Sequence, residues 1–129
     1  MKIGYIRFSE MNTIEIKLVD GTVWMTANEI SDLFGTNIST IKNQLKRIFK
    51  DNLLRKNEVT REHRYTCPKY GECIRIYYNL EVIIFLCFKI ETLYTKVFRE
   101  WVFSSLRKSN SELIDCGLII KEYSSFNLN

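Results

Sequence analysis

The stretch "TANEISDLFGTNISTIKNQLKRIFK", residues 26–50, holds two apolar-periodic runs with one glycine between them, and its reading decides the fold. Thr26 followed by Glu29 fits a capping box, in which the threonine oxygen and the glutamate carboxylate each satisfy a backbone donor at a helix start. The spacing predicts a first helix from about Ala27, with Ile30, Leu33 and Phe34 on its buried face. Gly35 ends it, because glycine enters the left-handed conformation without a Cβ clash. Asn37 or Ser39 is placed to cap a second helix. Along that helix Ile41, Leu45 and Ile48 recur at spacings of four and three, with Phe49 at the edge of the stripe. At about 100° per residue, Ser39, Asn43, Lys46 and Lys50 fall on the opposite side, flanked by Lys42 and Arg47.

A helix-turn-helix needs a small residue where the helices cross, a glycine in the turn, and an apolar anchor that locks the second helix across the first. Ser31, Gly35 and Ile41 supply these in the expected register. Thr36 and Ile38 depart from the usual pattern, which favours an aliphatic residue after the glycine and a polar one early in the second helix. If the second helix enters a major groove, Ser39, Lys42, Asn43 and Lys46 are the candidates for base edges, where asparagine pairs with adenine and lysine donates to guanine. Lys46, Arg47, Lys50 and Arg55 are the candidates for phosphates. The other reading is a plain helical hairpin whose lysine face is only solvated.

Before this stretch, "NTIEIKLVDGTVWMT" (12–26) alternates apolar and polar residues and turns at Asp20-Gly21, which predicts a β-hairpin over 13–25. A short strand near Tyr5 to Phe8 is a weaker expectation. After it, "RYTCPKYGECIRIYY" (64–78) reads as a second hairpin that turns through Pro68, Lys69, Tyr70 and Gly71, with Ile74, Ile76 and Tyr78 alternating toward one face. This hairpin is read either as a cover over the core or as a wing whose tip residues, Lys69 and Tyr70, touch DNA backbone or minor groove. Asn79 caps a third helix, apolar nearly all round, and a fourth runs from about Thr92 to Lys108, so the two C-terminal helices occupy 79–108. The fourth carries Leu93, Val97, Phe98, Trp101, Val102 and Leu106 and is a candidate dimer seam. Hairpin, two helices, hairpin, two helices is an α+β order, expected as a single domain over 1–129.

Composition agrees with an ordered domain: of 129 residues 46% are hydrophobic, with a single Pro and five Gly. Net charge is +4, yet Lys42 to Arg64 holds eight basic residues against three acidic ones, so the positive charge is concentrated there. The most apolar run, Val82 to Phe88, is far too short to span a bilayer, and the chain is expected to be cytoplasmic with no membrane partner. A three-residue loop, Lys69 to Gly71, sets Cys67 opposite Cys73 in this reading, with His63 the only other soft ligand nearby. That spacing is not a common zinc pattern, so free thiols, no metal and no cofactor are expected. His63 is the only histidine, and no nucleophile-elbow or phosphate-cradling glycine motif is present, so an enzyme is not expected. Trp24, Phe98 and Trp101 are read as core rather than as base-stacking groups.

Residues 23–50, "VWMTANEISDLFGTNISTIKNQLKRIFK", resemble the start of the RhuM-type virulence proteins of bacteria. The likeness continues in "YYNLEVII" (77–84) and "FREWV" (98–102), and the last segment also resembles the Bro-N domain of phage and viral antirepressor-like proteins. The resemblance spans roughly Ile14 to Lys108. It implies a small α+β DNA-binding domain carried by mobile elements, phages or bacterial genomes, acting as a regulator or accessory protein. The alternative reading is an antirepressor-type protein-binding module that uses an apolar patch on the last helix to grip a repressor or its own copy. Where family members carry a Gly-Tyr-Arg-Val-Asn-Ser-like stretch, this chain has "CFKIET" (87–92).

Overall fold

The computed structural model describes residues 3–114, with side chains through Lys108. Its elements in order are β1 (Tyr5–Phe8), β2 (Ile14–Lys17), β3 (Met25–Thr26), α1 (Ala27–Phe34), α2 (Ile38–Lys50), α3 (Lys56–Val59), β4 (Thr60–Cys67), β5 (Gly71–Tyr78), α4 (Leu80–Lys89) and α5 (Leu93–Ile114). The fold is α+β, with two antiparallel sheets: β1-β2, and a three-stranded sheet ordered β3-β5-β4. Met1–Arg99 forms one compact unit, and α5 carries the chain into a second that begins at Glu100. Cys116 lies outside the described residues.

The capping box forms as the sequence requires. Thr26 accepts from the Glu29 amide, and the Glu29 carboxylate accepts from the Thr26 amide at 2.9 Å. Gly35 terminates α1 at φ 61°, ψ 40°. The Thr36 amide donates to the Ser31 carbonyl at 3.0 Å and the Gly35 amide to Asp32 at 3.3 Å, the two bonds of a Schellman turn. Thr92, just before α5, adds a hydroxyl bond to the Phe34 carbonyl at 2.8 Å, satisfying a helix-end acceptor from across the fold. A second Schellman turn stops α2: Asn52 takes φ 53°, and the Leu53 amide donates to Ile48 at 3.0 Å. Asn37 occupies the cap position of α2 without a side-chain bond.

The core of the first unit gathers Ile30 and Phe34 of α1, Ile41, Leu45 and Ile48 of α2, and Val82, Ile83, Leu86 and Cys87 of α4. Phe34 meets Phe98 of α5 edge to face at 5.5 Å. Ser31 is buried where α1 must pass close to its neighbour, and its hydroxyl donates to the Asn28 carbonyl at 2.8 Å. Leu33 is only half-buried, and Leu93 and Leu106 are exposed.

The hairpin expected over 13–25 is corrected. Asp20 and Gly21 do form a tight turn with positive φ, closed by the single bridge Val19↔Thr22. The strand before it pairs instead with β1, in the register Tyr5↔Lys17 to Phe8↔Ile14. The chain after it departs: the Trp24 amide donates to Ile3 at 2.9 Å, and Met25 pairs with Tyr78 of β5. The reason is that Val23, Trp24 and Met25 are all buried in succession. A half-exposed hairpin strand buries only alternate residues, so this run needs cover on both sides. The four-residue helix α3 was not expected from the sequence.

A Cβ at Gly35 would lie 2.9 Å from the Tyr94 ring, whereas nothing lies within 4 Å of one at Gly71, though both glycines have positive φ. Gly71→Ala is expected to cost about 1 kcal/mol for the left-handed backbone alone, and Gly35→Ala measurably more, read by urea denaturation. Burial pushes the Cys87 thiol up to about 12 from 9.0, partly offset by Arg99. Between those values the unfolded chain releases a proton that the folded chain keeps, so the stability is fully present below pH 9 and is lost as pH rises toward 12. The advantage of wild type over Cys87→Ala is expected to be full at pH 8 and smaller at pH 10.5.

Candidate nucleic-acid interface

The α2 helix is held from beneath by Ile41, Leu45 and Ile48, which are 0%, 5% and 1% exposed. Its opposite side is open: Ser39, Lys42, Asn43, Lys46, Arg47 and Lys50 are all exposed. Among the described residues none of Lys42, Lys46, Arg47 and Lys50 takes part in an ion pair. Their charge is therefore not cancelled by a neighbouring carboxylate. The same amphipathic spacing that makes the core thus delivers a cationic, hydrogen-bonding surface on one rigid helix.

Arg55 stands apart from this set. It precedes α3 and pairs with Glu58 at 3.3 Å, both side chains being well exposed. An exposed pair of this kind is worth at most about 1 kcal/mol and gives way readily to a stronger anion. Lys56 lies over the Phe49 ring at 5.8 Å, and Phe49 in turn stacks on Tyr78 at 6.4 Å. That stack ties the end of α2 to the root of the second hairpin. Desolvation at this junction raises the Tyr78 hydroxyl above its ordinary pKa.

The second hairpin does not cover the core. Strands β4 and β5 pair over eight positions, and from Arg61 to Thr66 every β4 residue is exposed. It is an arm of about 25 Å at ordinary strand rise. Ile74 and Ile76, which alternate toward one face as expected, are 53% and 37% exposed. They line an open cleft of about 370 Å³ together with Tyr65, Arg75 and Tyr78, with Ile38 and Lys42 of α2, and with Thr26 to Asn28 at the start of α1. Ile38, out of place in a solvated helix face, has an apolar neighbour there. At the tip, Tyr70 is 71% exposed and the Lys69 ammonium sits 5.4 Å from its ring.

The register also corrects the cysteine reading. The loop is Pro68 to Tyr70, so Cys67 faces Gly71 and Cys73 faces Tyr65. The two thiols are diagonal neighbours on one face and are free. The Lys69 and Tyr70 amides hydrogen-bond the Cys67 sulfur and lower its pKa, with a smaller contribution from Cys73. Among the described residues no group of three or more His, Cys, Asp or Glu side chains is placed to hold a metal ion. No helix among them is long and apolar enough to cross a membrane. Trp24 and Phe98 are buried, while Trp101 is half-exposed.

Cys67 and Cys87 are expected to separate in a thiol-labelling experiment. At pH 8 in the folded protein iodoacetamide modifies Cys67 first, and Cys87 reacts only after unfolding, as peptide mapping reads directly. Compared with protein-family models, with curated proteins and with solved structures, the chain matches none.

Proposed function

We propose that this chain is a sequence-preferring double-stranded DNA-binding protein that reads the major groove with α2. The observation that carries the reading is the outer side of α2: four unpaired cations and Asn43, all exposed on a helix whose other side is locked into the core. Ser39, Lys42, Asn43 and Lys46 meet base edges, and Lys46, Arg47, Lys50 and Arg55 engage phosphates. The hairpin tip, Lys69 and Tyr70, serves as a wing on backbone or minor groove. In this reading the protein is a regulator or accessory factor of a bacterial mobile element or phage. Helix-turn-helix proteins commonly bind as dimers, and a homodimer fits the proposal.

A second reading, an antirepressor-type module that binds a repressor protein without touching DNA, is favoured by one feature: the exposed isoleucines of β5 beside Ile38. The two readings separate on charge. Duplex selected from a random pool is expected to lose affinity with salt at roughly −0.9 in log-log slope per phosphate neutralised, so about −3 to −4 for four contacts. Lys46→Glu with Lys50→Glu is expected to abolish that binding while stability stays within about 0.5 kcal/mol, as is usual for surface changes. Asn43→Ala is expected to relax base preference at one position by about 1–3 kcal/mol. Retention of full duplex affinity by the Lys46, Lys50 double variant would remove the DNA reading.

A further inference from the structure

Strand alternation sorts the second hairpin into two chemically different faces. Arg61↔Tyr77, His63↔Arg75 and Tyr65↔Cys73 lie on one, and Thr60↔Tyr78, Glu62↔Ile76, Arg64↔Ile74 and Thr66↔Glu72 on the other. Both hairpin carboxylates, Glu62 and Glu72, are on the second face. The first face carries two arginines and a histidine with no acid among them. Its two guanidiniums are paired with rings instead: Arg61 lies 4.3 Å from the Trp24 ring centre and Arg75 4.7 Å from that of Tyr65. Tyr77 beside Arg75 raises the guanidinium pKa above its ordinary value, with a smaller contribution from Tyr65.

Ring pairing holds a guanidinium in place without neutralising it. The result is an exposed sheet face on which flat guanidiniums and flat phenol rings are neighbours: Arg61, Tyr65 and Arg75 are exposed and Tyr77 half-buried. Such a face matches a partner that carries both negative charge and unpaired π-surfaces. A duplex keeps the faces of its bases stacked away from these rings, whereas an unpaired strand presents them.

We propose that this face of the β4–β5 hairpin binds an unpaired DNA strand, with bases stacking on Tyr65 and Tyr77 and phosphates held by Arg61 and Arg75. The site goes beyond the duplex reading and does not require it, since none of its residues lies on α2. The test uses the full chain and a fluorescein-labelled 15-mer of deoxythymidine, followed by fluorescence anisotropy. Tyr65→Ala and Arg75→Glu are each expected to weaken binding at least tenfold, with circular dichroism unchanged, and Tyr65→Phe to retain it. Lys46→Glu with Lys50→Glu is expected to leave it within twofold, even where duplex binding is lost. Binding of the 15-mer by wild type when no duplex binds would sustain this site while the α2 reading fails. No binding by wild type, equal binding by Tyr65→Ala and Arg75→Glu, or loss in the Lys46, Lys50 variant would each overturn it.

Discussion

The left-handed backbone at Gly35 is the constraint on which the rest of the first unit depends. It ends α1 with two amide bonds back to Ser31 and Asp32 and redirects the chain so that α2 starts three residues later. From that start the four and three spacing of Ile41, Leu45 and Ile48 points into the core, and the lysines have nowhere to go but out. The Tyr94 ring packs where a Cβ at 35 would stand, and the Thr92 hydroxyl holds the last carbonyl of α1. The turn is thus fixed twice, once by local backbone geometry and once by the segment that leads into α5.

Charge in this chain is sorted by face. The basic residues concentrated after Lys42 do not form one undifferentiated patch. On α2 they stand without carboxylate partners, and on β4 and β5 the pleat moves Arg61 and Arg75 to one face and Glu62 and Glu72 to the other. Long-range attraction of an anion depends on such uncancelled charge, and it acts over a Debye length of about 8–10 Å at ordinary salt. Cation-ring contacts suit this arrangement because each stabilises the fold by about 0.5–1 kcal/mol at an exposed site while leaving the charge available.

An exposed two-stranded arm is marginal on its own, and its root shows how it is held. Met25 and Thr26 add a third strand beside β5, the Asn79 amide donates to Val59 at 3.0 Å, and Phe49 stacks on Tyr78. The Thr22 hydroxyl accepts the Leu80 amide at 3.1 Å, joining the Asp20-Gly21 turn region to the start of α4. The arm therefore grows from the same place where α2 ends and α4 begins. Helix and hairpin are positioned by one junction.

What the sequence determined by itself is local. Thr26 with Glu29, Gly35, the Ile41-Leu45-Ile48 stripe, the Asp20-Gly21 turn and Asn79 as a cap each act through backbone and side chains a few residues away, and each stands where its spacing implies. The exposed side of α2, with Ser39, Lys42, Asn43 and Lys46, was legible for the same reason. Tertiary structure alone decided the strand partners, because pairing joins residues far apart in the chain and the alternation of β2 is compatible with either neighbour. It was the buried run Val23 to Met25, ending in a strand beside β5, that gave β2 to β1. The register of the second hairpin, which sets Cys67 diagonal to Cys73 rather than opposite it and gathers Arg61, Tyr65, Arg75 and Tyr77, rests on the loop being Pro68 to Tyr70. A shift of a single residue there would reassign every cross-strand pair, and composition does not specify it.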